Sequence, residues 1–267
     1  MAMLTPGIGS ISVSRDYALD RAVGETLSRA VGLPRELGGI SLDEIGATGF
    51  GLAAALEVAQ DSGDFQIAGF RVAVQGFGAV GRHATRFLAE RGAVLVATVD
   101  SAGTILDPNG LDVQALIQWK AAGNSVASFP GGRGLERDGV IDVARDIWIP
   151  AARPDVLDAD NVGRLHAWVV AEGANIPVTP EAEAILARRG VLVLPDFIVN
   201  AGGVICGAVE YAGGSQAMAL DVIAGKIRYN LHEVLERARH EAITPRQAAL
   251  AMAGARVRRA MTFRRTS

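Results

Sequence analysis

At 267 residues, 49% apolar and 21% charged, the chain is long enough to bury a large core and has the composition of an α/β protein. A formal net charge of -3 leaves no basic excess for nucleic acid, and no run reaches the roughly 18 apolar residues of a membrane span, so neither partner is expected. The single cysteine, Cys206, rules out an internal disulfide; with no basic-then-apolar start over residues 1–10, it predicts a cytoplasmic protein.

In chain order, residues 1–14 read as a loose arm, and residues 15–31 have helical spacing (Tyr17, Leu19, Val23, Leu27, Val31). A turn-rich link follows through Gly32, Pro34, Gly38 and Gly39. Ser41 and Glu44 resemble a capping box, opening an Ala-rich helix to about Gln60 that crosses Gly46, Gly49 and Gly51. Those glycines weaken a helix but let another backbone or a ligand come close. From residue 69 strands and helices alternate. Residues 70–75 and 93–99 read as strands flanking a helix to about Arg91, and Asp107-Pro108-Asn109-Gly110 reads as a turn before a helix over 112–122. Residues 146–150, 167–171 and 191–194 read as short buried strands. A helix between the last two starts at Thr179-Pro180-Glu181 and ends at Gly190. After about 199 the pattern is helical to the end. Such alternation predicts a mostly parallel sheet covered on both faces.

The chemistry concentrates where the 70–75 strand stops, at Gly76-Phe77-Gly78-Ala79-Val80-Gly81. Gly76 permits the tight turn, Gly78 lets the backbone approach a pyrophosphate, and Gly81 allows close packing of helix on sheet. The helix N-terminus offers free N–H groups and a positive dipole end to phosphates. Asp100 closes the next strand, 19 residues past Gly81, where an acid accepts adenosine-ribose hydroxyls. Ala151, Asn175 and Asn200 follow predicted strands. Ligands bind outside the carboxyl ends of strands in open α/β sheets, which places all three in the same crevice. An asparagine there offers both a donor and an acceptor to a carboxamide or a ribose. His83, His166, His232 and His240 lack metal-ligand spacing, so no metal is expected. Lysine occurs only at Lys120 and Lys226, both read as exposed helix residues.

These motifs, in order, resemble the glutamate/leucine/phenylalanine/valine dehydrogenase family over about residues 31–262. The matching stretches are Ala47-Thr48-Gly49-Phe50-Gly51, the glycine loop, residues 146–152, Glu172-Gly173-Ala174-Asn175, Asn200-Ala201-Gly202-Gly203-Val204 and Thr244-Pro245-Arg246-Gln247-Ala248-Ala249. The resemblance implies a Rossmann-type, doubly wound, mostly parallel sheet with one strand running against the others, flanked by N- and C-terminal helices. It divides the chain into an arm and helix (1–35), an NAD-binding domain (36–215) and C-terminal helices (216–267). It places Thr48 near the nicotinamide, Asn175 on its ribose or amide, Asn200 between nicotinamide and substrate, and Asp100 on the adenosine ribose, favouring NAD and leaving NADP open. The implied reaction is oxidative deamination of an amino acid to the 2-oxo acid and ammonia, in a homo-oligomer or with a partner that supplies the substrate domain. The family's catalytic lysine, in a glycine-rich loop, and its aspartate have no counterpart here, and its serine for the substrate carboxylate aligns with Gly207. Cofactor binding with little turnover by this chain alone is therefore expected. Its bearers are a truncated dehydrogenase, one half of a split enzyme, or a non-catalytic NAD-binding protein.

Overall fold

The computed structural model describes residues 39–63 and 65–264; the expected arm and helix over residues 1–31 lie outside them. The expected continuous helix from residue 42 divides into α1 (Leu42–Ile45) and α2 (Ala47–Ser62). Gly46 sits between them at φ 72, a left-handed conformation that stops the α-helical ladder. Ser41 makes no side-chain cap hydrogen bond; its carbonyl instead accepts from the N–H groups of Glu44 and Ile45.

Strands β1 (Arg71–Gln75), β2 (Val94–Val99), β3 (Thr104–Leu106), β4 (Arg133–Leu135), β5 (Ile147–Pro150), β6 (Val169–Ala171) and β7 (Leu192–Leu194) form one sheet in the order β4-β3-β2-β1-β5-β6-β7. β1 pairs in parallel with both β2 and β5, and β6 and β7 extend the parallel run. β3 is antiparallel to β2 and to β4, so it alone opposes the rest. β3 and β4 carry no period in the sequence. They are three residues each, and only their pairing makes them strands. The chain runs outward from β1 to β4 and then crosses back to β5, so the order reverses between β1 and β5.

Helices α3 (Ala79–Ala89), α4 (Val113–Ala121), α5 (Pro180–Arg188), α6 (Asp196–Val199), α7 (Gly202–Tyr211), α8 (Gln216–Glu241) and α9 (Pro245–Arg264) complete the fold. Local signals start several of them. Asp112 accepts from the Ala115 N–H at the head of α4, and Thr179 from the Ala182 N–H at the head of α5, with Pro180 at its first position. α2 is buried on most of its circumference, lying between α3 and α8. Its glycines set that packing. A Cβ on Gly49 would lie 2.4 Å from the Ala84 nitrogen, and one on Gly51 2.6 Å from Ile227 Cδ1. Cys206 is buried on α7. Among the described residues no helix is long and apolar enough to cross a membrane.

Candidate functional site

β1 delivers its last residue, Gln75, to the point where the strand order reverses. Gly76 turns the chain at φ +100, and a Cβ there would lie 3.0 Å from the Ala151 carbonyl oxygen. Gly78 caps α3, and a Cβ on it would meet nothing within 4 Å, so this backbone faces open space. Gly81 presses α3 onto the turn: its Cβ would lie 1.8 Å from the Gly76 carbonyl oxygen. The first-turn N–H groups of α3 lack intrahelical acceptors and point at that space. The backbone cradle therefore fits a diphosphate group. Phe77 lines the cleft but is only 2% exposed and packs into the core.

Two clefts meet here. The first, about 390 Å³, lies along Gly76–Gly78 and Asp100 and is rimmed by Lys120, Arg137 and Arg153. The second, about 560 Å³, is lined by Thr48, Val80, Asn175, Asn200 and Val204. Ala151, Ala152 and Arg153 line both, so the clefts are continuous across the glycine loop. Ala79 borders neither and instead lines a small recess with Thr48 and Val80. In the second cleft the Asn200 amide donates to Asn175 Oδ1 at 2.8 Å. The two carboxamides, from the loop after β6 and from the C-terminal cap of α6, thus present donors and acceptors together. Among the described residues no group of three His, Cys, Asp or Glu could hold a metal.

Asp100 differs from its expected setting. Its Oδ2 accepts from Lys120 Nζ at 2.7 Å and the Val126 N–H at 3.0 Å. Its Oδ1 accepts from the Ser125 hydroxyl at 2.9 Å and the Ala102 N–H at 3.0 Å. The carboxylate is 8% exposed, so its acceptor positions are largely taken. Lys120, expected to be an exposed helix residue, is instead its ion partner, because the last turn of α4 brings its side chain to the residue that follows β2. No spacing rule links positions 100 and 120, and none marked Arg137 or Arg153. Burial would raise the Asp100 carboxyl, but the bonds from Lys120, Val126, Ala102 and Ser125 outweigh it and hold it at about 2. A depressed carboxyl stabilises the fold above its ordinary titration range and loses that contribution as pH falls through about 2. Asp100→Asn is expected to cost roughly 1–3 kcal/mol at pH 7, with the gap to the parent closing toward pH 2. Urea melts across that range check it; a gap independent of pH refutes it.

A sequence model of the family described as Glutamate/Leucine/Phenylalanine/Valine dehydrogenase matches residues 38–265. A glutamate dehydrogenase of Aeropyrum pernix is 38% identical over 251 residues, covering 90% of this chain and 60% of the relative. An NADP-specific glutamate dehydrogenase of Saccharolobus shibatae is 36% identical over 181 residues, covering 68% of this chain and 43% of the relative. The hetero-hexameric glutamate dehydrogenase of Thermus thermophilus superposes with a TM-score of 0.79 at 30% identity, over 88% of this chain and 56% of that one. The chain thus spans about half the length of these relatives.

Proposed function

The chain belongs to the glutamate/leucine/phenylalanine/valine dehydrogenase family, and from that premise we propose that its two clefts bind one nicotinamide dinucleotide for the oxidative deamination of an amino acid. The observation that carries this reading is the continuity of the glycine cradle with the Thr48, Asn175 and Asn200 cleft at the carboxyl ends of parallel strands. The cradle residues Gly76, Gly78 and Gly81, with Ala79 and Val80 in the first turn of α3, take the diphosphate. Ala151 lies between the clefts, and Thr48, Asn175 and Asn200 orient the nicotinamide. The bound cofactor supplies hydride chemistry. The chain's own residues bind it, align it and leave Val204, 79% exposed, as an apolar wall of the nicotinamide cleft.

The substrate is an amino acid of the family's range, with the 2-oxo acid and ammonia as products, in the cytoplasm and within an oligomeric assembly. Proton transfer in that reaction uses a lysine. The chain's two lysines are Lys120, bound to Asp100, and Lys226, exposed on α8. Neither stands as a free base in the clefts, so turnover needs a base that these two lysines do not supply. The same observation favours, as second reading, a dinucleotide-binding protein without turnover.

Asp100 is committed to Lys120, and three cations rim the first cleft against one carboxylate. That balance supports acceptance of the adenosine 2′-phosphate, so NADP binds as well as NAD. Isothermal titration is expected to give dissociation constants for the two within about tenfold of each other, or roughly 1.4 kcal/mol. Lys120→Gln is expected to weaken NADP about fivefold relative to NAD, the roughly 1 kcal/mol of a half-exposed ion contact. Absence of binding by either nucleotide would overturn the proposal, and an unchanged ratio in the variant would remove Lys120 from the specificity.

A further inference from the structure

Beneath the second cleft lies a buried charge cluster that the glycine-loop chemistry does not use. Arg246, at the head of α9, is its hub. Its guanidinium donates to Glu172 at 2.5 Å, to Glu183 at 2.6 Å and to Asp196 at 3.1 Å. These acids come from the end of β6, from α5 and from α6, and each is at most 8% exposed. Two of them continue into the cleft. Glu172 lies three residues before Asn175, and Asp196 four before Asn200. The loops are cross-tied beneath the asparagines: the Asp196 N–H donates to Glu172 Oε2 at 2.8 Å, and the Ile176 N–H to Asp196 Oδ2 at 2.8 Å.

The second of those bonds holds an unusual conformation. Ile176, directly after Asn175, stands at φ 50. A β-branched residue in the left-handed region is an outlier that persists only when its surroundings enforce it. Here Asp196 grips its N–H, and the Asp155 N–H grips its carbonyl. Arg246 in turn grips Asp196.

We propose that Arg246 is a positioning residue for the second cleft: by clamping Asp196 and Glu172 it keeps Ile176 in its strained turn and sets the Asn175 amide against Asn200. The proposal rests on reading that cleft as the nicotinamide end. It also makes the clamp sensitive to charge. Arg246 faces three acids, Glu172, Glu183 and Asp196. Glu172 Oε1 is buried without a hydrogen-bond partner, a setting for a neutral carboxyl. Burial pushes Glu172 up to about 8, despite Arg246 and the Asp196 N–H, and Asp196 and Glu183 push it the same way. At pH 7 the clamp holds a proton. As pH rises past about 8 Glu172 becomes a buried anion whose Oε1 has no partner, and the water it must draw in loosens the ties around it.

The experiment compares NADH with ADP-ribose, which lacks the nicotinamide, by isothermal titration of the full chain. Arg246→Met is expected to weaken NADH about tenfold, the value of one well-made hydrogen bond, while ADP-ribose stays within about twofold. In the parent, the preference for NADH over ADP-ribose is expected to shrink between pH 7 and 9; in Glu172→Gln, whose side chain cannot ionise, it stays level. Equal losses for both ligands in Arg246→Met, or no loss for NADH, overturn the positioning role. If Arg246→Met does not fold, the pH series decides, since a parent preference that stays level to pH 9 or a Glu172→Gln preference that shrinks like the parent's overturns the clamp. A parent that binds neither ligand overturns the dinucleotide reading and this proposal with it. A parent that binds ADP-ribose, with Arg246→Met failing the comparison, overturns this proposal alone.

Discussion

Replacing Gly81 with alanine is expected to abolish dinucleotide binding and to destabilise the chain by about 3 kcal/mol, the upper range for forcing atoms into a packed contact. The reason is geometric. The new methyl would lie 1.8 Å from the Gly76 carbonyl oxygen and 3.0 Å from Val74 Cγ1. The first of these is backbone at the heart of the glycine turn, and no side-chain rotation relieves it. α3 must move off β1, carrying away the N–H groups proposed to hold the diphosphate. Gly78→Ala is the matched comparison. Its φ of -80 suits alanine, and its methyl meets no protein atom within 4 Å. It is expected to match the parent in stability to within about 0.5 kcal/mol and to weaken binding only by filling space above the cradle. Urea melts with titrations of ADP-ribose measure both quantities. A Gly81→Ala protein that binds like the parent would show that this loop is not the phosphate site.

The second large effect lies at the other end of the site. Gly202 opens α7 directly against α2: a Cβ there would lie 2.1 Å from the Ala47 carbonyl oxygen and 2.9 Å from Thr48 Cα. Gly203, beside it, leaves room for the Thr48 hydroxyl, whose oxygen would stand 3.2 Å from an added Cβ. Gly202→Ala therefore drives Thr48 and Asn200 apart. Its expected result is a loss of about 2–3 kcal/mol in stability and an NADH affinity that falls further than that for ADP-ribose. Gly207→Ala, on the same helix with nothing within 4 Å, is expected to raise stability by roughly 0.5–1 kcal/mol, because alanine is the better helix former. A destabilisation shared equally by both variants would mean that the loss at Gly202 does not come from its contact with α2. Scanning calorimetry of the pair with the same two ligands separates the cases.

The local parts of this protein were readable because their causes are local. Gly76, Gly78 and Gly81 were legible at fixed spacing, since each answers a requirement of one turn between one strand and one helix. Thr179, Pro180 and Gly190 marked the ends of α5 by the same kind of chemistry. Strands β1, β2, β5, β6 and β7 could be placed to within a few residues from apolar runs bounded by turns. β3 and β4 could not, because three residues have no period and become strands only by pairing with β2 and with each other. The break at Gly46 was hidden by the helix-forming residues around it. Its left-handed turn packs against His83, with which any Cβ there would clash.

The composition and the ordered glycine, asparagine and apolar motifs by themselves determined that the chain is an α/β nucleotide-type fold and pointed to its family. Only the tertiary structure decided which groups of the chain meet the Asp100 carboxylate. That carboxylate is met by Lys120, Ser125 and Val126, 20 to 26 positions further along the chain, and hydrogen bonds across such distances leave no spacing to read. It alone also joined Arg246 to Glu172, Glu183 and Asp196, 50 to 74 residues away. A backbone turn is set by the residues that form it. A buried charge is set by whatever the fold brings within reach, because desolvation makes its partners obligatory without saying where in the chain they lie.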